Sequence, residues 1–345
     1  MSMRAYSRFA WGVLAYNLGV IAWGAYVRAT GSGAGCGQHW PTCQGDLVPR
    51  APALETMVEY SHRLSSGLAL VLTVALVAFA FRLFPKGHAV RRGAVLSAGF
   101  MALEALLGAA LVLFGLVAKD ASLARGLVMP VHLVNTFLLL ASLTLTAWWA
   151  SGGGDFRVRG QGPLGAVLGV GLIGVVALGI TGAITALGDT LYPAQSLAHG
   201  MAQDLSPASH LFVRLRVAHP AIALLVGAYL LAAASYARAA RKARPVRLFA
   251  GSLVALFAAQ IVVGFVNMAL LAPVAMQLTH LFVADLNWIA LVLLTAAAFA
   301  AKAEQPERRV VPMPGVWSPA ATPRLQPAEV GRARPPWRGR PLSGR

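Results

Sequence analysis

Four of the eight histidines share one setting, because each lies in the first turns of an apolar stretch long enough to cross a membrane. They are His62, His132, His219 and His280. Ionisable side chains in membrane spans are costly and usually mark function. Two neutral imidazoles on neighbouring helices fill both axial positions of a haem iron, whereas zinc and copper sites usually recruit carboxylates or thiolates as well. The pattern therefore predicts haem iron as the bound metal.

The histidines form two matched pairs, because the membrane region repeats itself after about 150–160 residues. "YSHRLSSGLALVL" matches "RVAHPAIALLVGAYL", which aligns His62 with His219. "PVHLVNTFLLLASLTL" matches "QLTHLFVADLNWIALVLL", which aligns His132 with His280. Each half thus offers one pair, and the two halves run in the same direction, unlike the inverted repeats of many transporters.

A carboxylate distinguishes the first pair from the second. Glu59 precedes His62 by three residues, so both side chains project from one helix face, whereas Arg216 precedes His219 by the same spacing. We interpret Glu59 as a catalytic carboxylate; the structural alternative is an exposed first-turn residue favoured by the helix dipole. Arg63 and Arg216 are candidate partners for haem propionates, with ordinary interfacial arginines as the alternative.

A second carboxylate lies in the middle of the third span. Glu104 aligns with Gln260 in the repeat. Because a charge at that depth is costly, we expect Glu104 to be protonated or bonded to a neighbouring helix, and we favour the helix-to-helix hydrogen bond. The sequence leaves its further role open.

Eight apolar runs must position these side chains. They cover approximately residues 9–27, 61–84, 94–117, 127–149, 163–187, 213–237, 248–271 and 277–300. With 57% hydrophobic and 12% charged residues, the chain is expected to be an all-α integral membrane protein of two tandem pseudo-symmetric four-helix bundles. We expect units at 1–150 and 163–300, a cytoplasmic linker at 151–162, and a disordered basic tail at 301–345.

The net charge of +17 reflects the loops and not a nucleic-acid surface, so no nucleic-acid partner is expected. Basic residues concentrate in alternate connections, and the positive-inside rule then places both termini in the cytoplasm and the histidines near the outer face. The short basic stretch before the first span leaves no room for an organelle transit sequence. We therefore expect a multi-pass protein of a prokaryotic plasma membrane, with membrane lipid as one partner.

These motifs resemble the haem A synthase family of bacterial and mitochondrial membranes. The resemblance covers about residues 9–300 and rests on "AYVRATGSGAGCGQHWPTCQG", "EYSHRLSSG", "HLVNTFLLLASL", "AHPAIALLVGAYL" and "HLFVADLNWIALV". It implies an enzyme that oxidises the C8 methyl group of haem O to a formyl group by successive hydroxylations, supplying haem A to cytochrome oxidase. Unlike some members, this chain lacks a second cysteine pair, and it has Glu104 where members more often show glutamine.

The resemblance also implies a role for each matched residue. His62 and His132 would hold the haem O substrate in the N-terminal unit, and His219 and His280 a haem b cofactor in the C-terminal unit, while Glu59 takes part in the oxidation. The implied partners are a haem O-producing farnesyltransferase and an electron-transfer protein, and homo-oligomerisation is left open.

Two other function classes remain. A two-haem b-type membrane cytochrome that only transfers electrons explains the four histidines equally well, but it does not explain a carboxylate beside one pair alone. A transporter would need helices broken by Gly or Pro and polar residues near the midplane, for which Glu104 and Gln260 are the only signs.

The loop "RATGSGAGCGQHWPTC" after the first span admits three interpretations. A phosphate-binding loop would follow a strand and end in a lysine, and neither is present. A zinc site at Cys36, His39 and Cys43 lacks a fourth ligand. The resemblance places a cysteine pair here, and at the oxidising outer face we expect a Cys36–Cys43 disulfide in a lid over the first haem site. Whether the cysteines are also redox-active is left open.

Overall fold

A computed structural model of the chain describes residues 1–50, 52–157 and 159–300. The helices of these residues are α1 (Met3–Ala29), α2 (Leu54–Leu83), α3 (Ala89–Leu113), α4 (Leu123–Ala150), α5 (Pro163–Leu191), α6 (Leu197–Leu205), α7 (Leu211–Arg216), α8 (Ala218–Ala240), α9 (Arg244–Ala269) and α10 (Val274–Ala300). Eight segments are long and apolar enough to span a membrane, with α7 and α8 together forming the sixth. The predicted all-α, eight-span class is confirmed. The predicted tail lies outside the described residues.

Seven of the eight spans begin earlier than the apolar runs predict, and two of them carry the first histidine pair. The second starts at Leu54 and not at 61, and the fourth starts at Leu123 and not at 127. The first turns of α2 are polar, and α4 begins at a capping serine, Ser122, whose hydroxyl oxygen accepts a hydrogen bond from the backbone N–H of Arg125. Hydropathy alone misses such turns, so the histidines lie deeper in their helices than predicted.

The sixth span is interrupted just before one of the four histidines. It was predicted as a continuous run, yet α7 ends at Arg216 and α8 begins at Ala218. Pro220 has no N–H to donate to the carbonyl group of Arg216, and its ring crowds that carbonyl. The break therefore follows from the "AHPA" motif and leaves His219 in the first turn of α8.

The helices form two rings of four. In the N-terminal ring, α1 packs on α2, α2 on α3, α3 on α4 and α4 on α1. In the C-terminal ring, α5 packs on α8, α8 on α9, α9 on α10 and α10 on α5. The histidine-bearing helices, α2 with α4 and α8 with α10, consequently occupy opposite corners of each ring. Their imidazoles can face one another across the ring centre.

The two rings join through α4 and α10, which are the most buried of the spans. α1 contacts α10, and in the equivalent way α5 contacts α4. At the centre, Trp288 stacks on Phe137 with ring centroids 5.0 Å apart, and its indole N–H donates to the Phe137 carbonyl oxygen at 2.7 Å. The contacts between the rings are therefore matched, as expected of two similar units. The unit boundaries near 150 and 163 stay a prediction.

Candidate functional site

The first histidine pair lies inside the N-terminal ring. His62, in the third turn of α2, faces Gly24 of α1 so closely that a Cβ atom there would lie 2.8 Å from the imidazole Cε1. Only glycine leaves room for the ring at this place. His132 lies on α4, at the opposite corner of the same ring. The structure therefore brings these two predicted residues together.

Glu104 of α3 lies beside the second member of this pair. Its Oε1 atom is 3.3 Å from Nδ1 of His132. The carboxylate also accepts hydrogen bonds from the Asn135 side-chain amide at 2.5 Å and from the Thr136 hydroxyl at 2.6 Å, both on α4. The expected bond to a neighbouring helix is present, and the structure adds the contact with the imidazole.

Glu59 is buried, with 3% of its surface exposed, and both of its carboxylate oxygens have partners. Oε1 accepts a bond from the Arg63 guanidinium at 2.5 Å, and Oε2 accepts the backbone N–H of Cys36 at 2.8 Å. Arg63 also donates to the carbonyl oxygens of His39 and Thr42, at 2.6 Å each. Glu59 is therefore not an exposed first-turn residue; with Arg63 it fastens the loop onto α2.

The loop itself is closed by a disulfide between Cys36 and Cys43, which confirms the predicted bond. It lies tightly against the start of α2. A Cβ atom on Gly35 would lie 2.5 Å from the backbone of Glu55 and Thr56, and the Thr56 hydroxyl donates to the Gly35 carbonyl oxygen at 2.8 Å. The glycine is needed for this close approach of two backbones.

The second histidine pair lies inside the C-terminal ring. The rings of His219 and His280 have centroids 6.3 Å apart at an interplanar angle of 73°. Each faces a glycine of a neighbouring helix, Gly182 for His219 and Gly264 for His280, where a Cβ atom would lie 3.1 Å from the imidazole. The Thr181 hydroxyl lies 3.1 Å from Nδ1 of His219. This pair, too, comes together as predicted.

Gln260 is the counterpart of Glu104 in space as well as in sequence. Its side-chain amide nitrogen lies 3.1 Å from Nε2 of His280 and donates to the His280 carbonyl oxygen at 3.1 Å. Both residues thus contact the second histidine of their unit. One presents a carboxylate to Nδ1 and the other an amide N–H to Nε2, so the two pairs differ in charge.

Arg216 has two carboxylate partners. It donates to Asp189 of α5 at 2.9 Å and to Asp204 of α6 at 2.8 Å. The guanidinium groups predicted to hold propionates, those of Arg63 and Arg216, therefore each carry protein partners already. Their contact with propionates stays a prediction.

Arg28, at the end of α1, crosses from one ring to the other. Its guanidinium donates to the Ala186 carbonyl oxygen at 2.8 Å, to the Thr190 hydroxyl at 2.6 Å and to the Gln277 side chain at 2.9 Å. The helices it joins are α1, α5 and α10, which carry Gly24, Gly182 and His280 respectively. Arg28 therefore fastens together helices of both histidine sites.

The donor set suits haem iron. Each pair supplies two half-buried imidazoles from opposite corners of a ring, and Nδ1 of His62, His132 and His280 is buried without a hydrogen-bond partner in the part of the chain described. Within residues 1–50, 52–157 and 159–300, no three or more His, Cys, Asp or Glu side chains are grouped so that they could hold a metal ion. Two axial ligands suffice for haem because the porphyrin supplies the remaining four.

Several neighbours of the histidines were not predicted as such. The repeat contained a signal for two of them, because "WGAYVRA" aligns with "TGAITAL" and so matches Gly24 with Gly182. The repeat aligns Glu104 with Gln260, but it does not indicate that each of them contacts the second histidine of its unit. Nothing in the sequence indicates that Arg28 or Thr181 lies near the histidine sites, because only the packing of the helices brings them there.

A family model described as COX15-CtaA, cytochrome oxidase assembly protein, matches residues 7–292. A protein of Thermus thermophilus named protoheme IX farnesyltransferase is 49% identical over 310 residues, which cover 89% of this chain and 51% of that protein. Heme A synthase of Bacillus licheniformis is 39% identical over 126 residues, 36% of this chain and 39% of that protein. Heme A synthase of Bacillus mycoides is 42% identical over 96 residues, 28% and 31% of the two. The chain spans about half the length of the Thermus protein.

Proposed function

Because the chain belongs to the COX15-CtaA family of cytochrome oxidase assembly proteins, we propose that it is a haem A synthase that oxidises the C8 methyl group of haem O to a formyl group. The observation that carries the proposal is an asymmetry. Two histidine pairs share one scaffold, yet the carboxylates Glu59 and Glu104 accompany the first pair alone, where the second has Arg216 and Gln260. A buried carboxylate such as Glu59, one turn before the first pair alone, is a group that proton transfer in an oxidation requires and that electron transfer by itself does not require.

The substrate site is the N-terminal ring. His62 and His132 would hold the iron of haem O from opposite corners, and Gly24 keeps the slot open beside His62. Two hydroxylations of the methyl carbon give a geminal diol, which loses water to become an aldehyde. Each hydroxylation replaces a C–H hydrogen by a hydroxyl group and removes two electrons from the carbon, which the electron-transfer partner must accept; a carboxylate near that carbon can take up the proton that is lost.

Glu59 is proposed as that acceptor. It lies one helical turn before His62, is buried, and is held by Arg63 and by the backbone N–H of Cys36. These two donors stabilise the carboxylate and fix its place. The disulfide-closed loop above it acts as the lid of the site and limits the access of water.

The C-terminal ring is proposed to hold a resident haem b. His219 and His280 would bind its iron, with Thr181 and Gln260 orienting the imidazoles. When bound, this group supplies one-electron transfer to or from a partner protein. Arg63 and Arg216 remain the proposed propionate partners, and this contact would add to the carboxylate and carbonyl partners that they already have.

We propose a farnesyltransferase as the source of haem O. A Thermus relative carries that name, and this chain matches about half of its length, which supports a farnesyltransferase as the partner. The proposed setting is a prokaryotic plasma membrane with both termini in the cytoplasm, supported by the eight spans and the loop charges.

The test is the variant Glu59→Ala in cells that supply haem O, with haems extracted and identified by chromatography and mass. We expect formyl haem to disappear while the haem b of the second site is retained. Glu55→Ala is the matched control, because Glu55 is exposed on the first turn of the same helix. Unchanged formyl haem in Glu59→Ala would remove Glu59 from the mechanism. Haem b alone in the unaltered protein, despite a haem O supply, would favour the two-haem cytochrome.

A further inference from the structure

We propose that Glu104 is a positioning residue: it holds His132 in the tautomer that leaves the Nε2 lone pair free for a bound haem iron, and it would make this ligand more electron-rich than its counterpart His280. The inference rests on the proposed function, since it concerns the iron of the first site. Glu104 acts through His132 and need not touch the substrate.

The contacts of Glu104 show how its carboxyl group is held beside His132. Glu104 is fixed by Asn135 and Thr136, which each donate to one of its oxygens, and its side chain is 20% exposed. Oε2 therefore accepts the Asn135 N–H, while Oε1 lies between the Thr136 hydroxyl and Nδ1 of His132. Because Asn135 and Thr136 extend from α4 itself, one turn beyond His132, they hold the carboxylate against the same helix that carries the imidazole.

The second step concerns the proton on the imidazole. Nδ1 of His132 lies 3.3 Å from Oε1 of Glu104, and an acceptor at that place favours a hydrogen on Nδ1. A neutral imidazole has one N–H, so Nε2 then carries the free lone pair. Carboxylates placed in this way behind metal-binding histidines fix the tautomer and raise the basicity of the ligand.

The C-terminal unit lacks this feature. Gln260 contacts His280 through an amide N–H at Nε2, whereas Glu104 contacts Nδ1 of His132 through a carboxylate oxygen; apart from that contact, Nδ1 of both histidines is buried without a hydrogen-bond partner among the described residues. Gln260 is uncharged, so it places no negative charge beside His280. Since a more basic axial ligand and a nearby negative charge stabilise the ferric state, an iron held at His132 will have a lower reduction potential than one held at His280.

The first test compares the reduction potentials of the bound haems in the purified full-length protein, followed by visible absorbance. His132→Ala and His280→Ala assign each component to its site. We expect Glu104→Gln to shift the component that depends on His132 to higher potential and to leave the other unchanged. Thr144→Val is the matched control, because it removes a buried hydroxyl of α4 that has no hydrogen-bond partner among the described residues and does not contact Glu104.

The outcomes separate the inference from the function beneath it. An unchanged potential in Glu104→Gln, with haem retained, would overturn the positioning role alone. If no haem component depends on His132, the proposal that the N-terminal ring holds the substrate is wrong, and so is the role proposed for Glu104.

A second measurement covers the case in which Glu104→Gln lowers haem occupancy. Nitrogen-15 NMR of histidine-labelled full chain in lipid nanodiscs reports the tautomer of each imidazole, with the His132 signal assigned by its loss in His132→Gln. We expect an Nδ1–H tautomer that becomes a mixture in Glu104→Gln. The same tautomer at His132 in both proteins would refute the proposal.

Discussion

The two four-helix units place the same ligands in different electrostatic settings. Both pairs of imidazoles lie at opposite corners of a ring, and three of the four face a glycine of a neighbouring helix. The first pair is accompanied by Glu59 and Glu104, whereas the second is accompanied by Gln260 and Thr181. The repeated scaffold therefore determines where iron can bind, and the residues around the imidazoles determine what each site can do.

The arginines near the histidines show the same divergence. Arg63 connects α2 to the disulfide loop through two carbonyl oxygens and Glu59. Arg216 connects α7 to α5 and α6 through Asp189 and Asp204. Each fastens the connecting segment of its own unit at the end where the histidines lie. Similar charges thus stabilise two unrelated loops, which can differ without disturbing the shared helices.

Removing one histidine from each unit should have the largest effect and tests whether the two sites are separate. We expect His62→Ala to lose the haem of the first site and all formyl haem, and His219→Ala to lose the haem of the second site while the first site still binds its haem, since each variant removes one proposed iron ligand. Haem content per chain and the type of extracted haem are the measurements. His199→Ala, at an exposed position on α6, is the control. Loss of both haems in both variants would contradict two independent sites.

Arg28 breaks the symmetry of the two units, because its counterpart in the repeat is Ala186, whose carbonyl oxygen accepts one of its bonds. Arg28→Ala removes three hydrogen bonds between the rings and should lower the free energy of unfolding by about 2–4 kcal/mol. Thermal unfolding in detergent micelles measures this. Arg8→Ala, exposed on the same helix, should leave the midpoint unchanged. Equal midpoints for the two variants would show that Arg28 does not hold the units together.

Much of this architecture could be predicted from the sequence, but the partners of the histidines could not. Apolar length gives the eight spans, and two cysteines near each other give the disulfide. The contact of Glu104 with His132 depends on how α3 and α4 are rotated against each other, which hydropathy does not encode. The partners of Arg28 lie 158 to 249 residues away in the chain, so only the packing of both rings brings them together.

A methyl group added at Gly24 should weaken the first site more than the same change at Gly182 weakens the second. The added Cβ would lie 2.8 Å from the imidazole of His62, against 3.1 Å from that of His219. Displacing the ring from a packed position costs about 1–3 kcal/mol, or about 5- to 150-fold in haem affinity. Haem titration of the purified variants measures the loss.

Gly19→Ala is the control for this comparison, because no atom lies within 4 Å of the Cβ atom it would add to the same helix. Alanine favours helix over glycine, so this variant should bind haem normally and unfold no earlier than the unaltered protein. Equal affinity in Gly24→Ala and Gly19→Ala would mean that the close approach of α1 does not position His62.

The smallest expected effect lies at the hydroxyl that only the second unit places beside its first histidine. The residue before the facing glycine is Thr181 in the C-terminal unit and Trp23 in the N-terminal unit, and Trp23 donates to Ser61 and not to His62. Thr181→Val keeps the shape but removes the partner of Nδ1 of His219, so haem affinity at the second site should fall by about 1 kcal/mol, roughly fivefold. Thr185→Val, one turn further on, removes a buried hydroxyl without a hydrogen-bond partner among the described residues and should cost nothing. If both variants bind haem equally, the glycine alone positions His219, and the two units orient their first histidines by one mechanism instead of two.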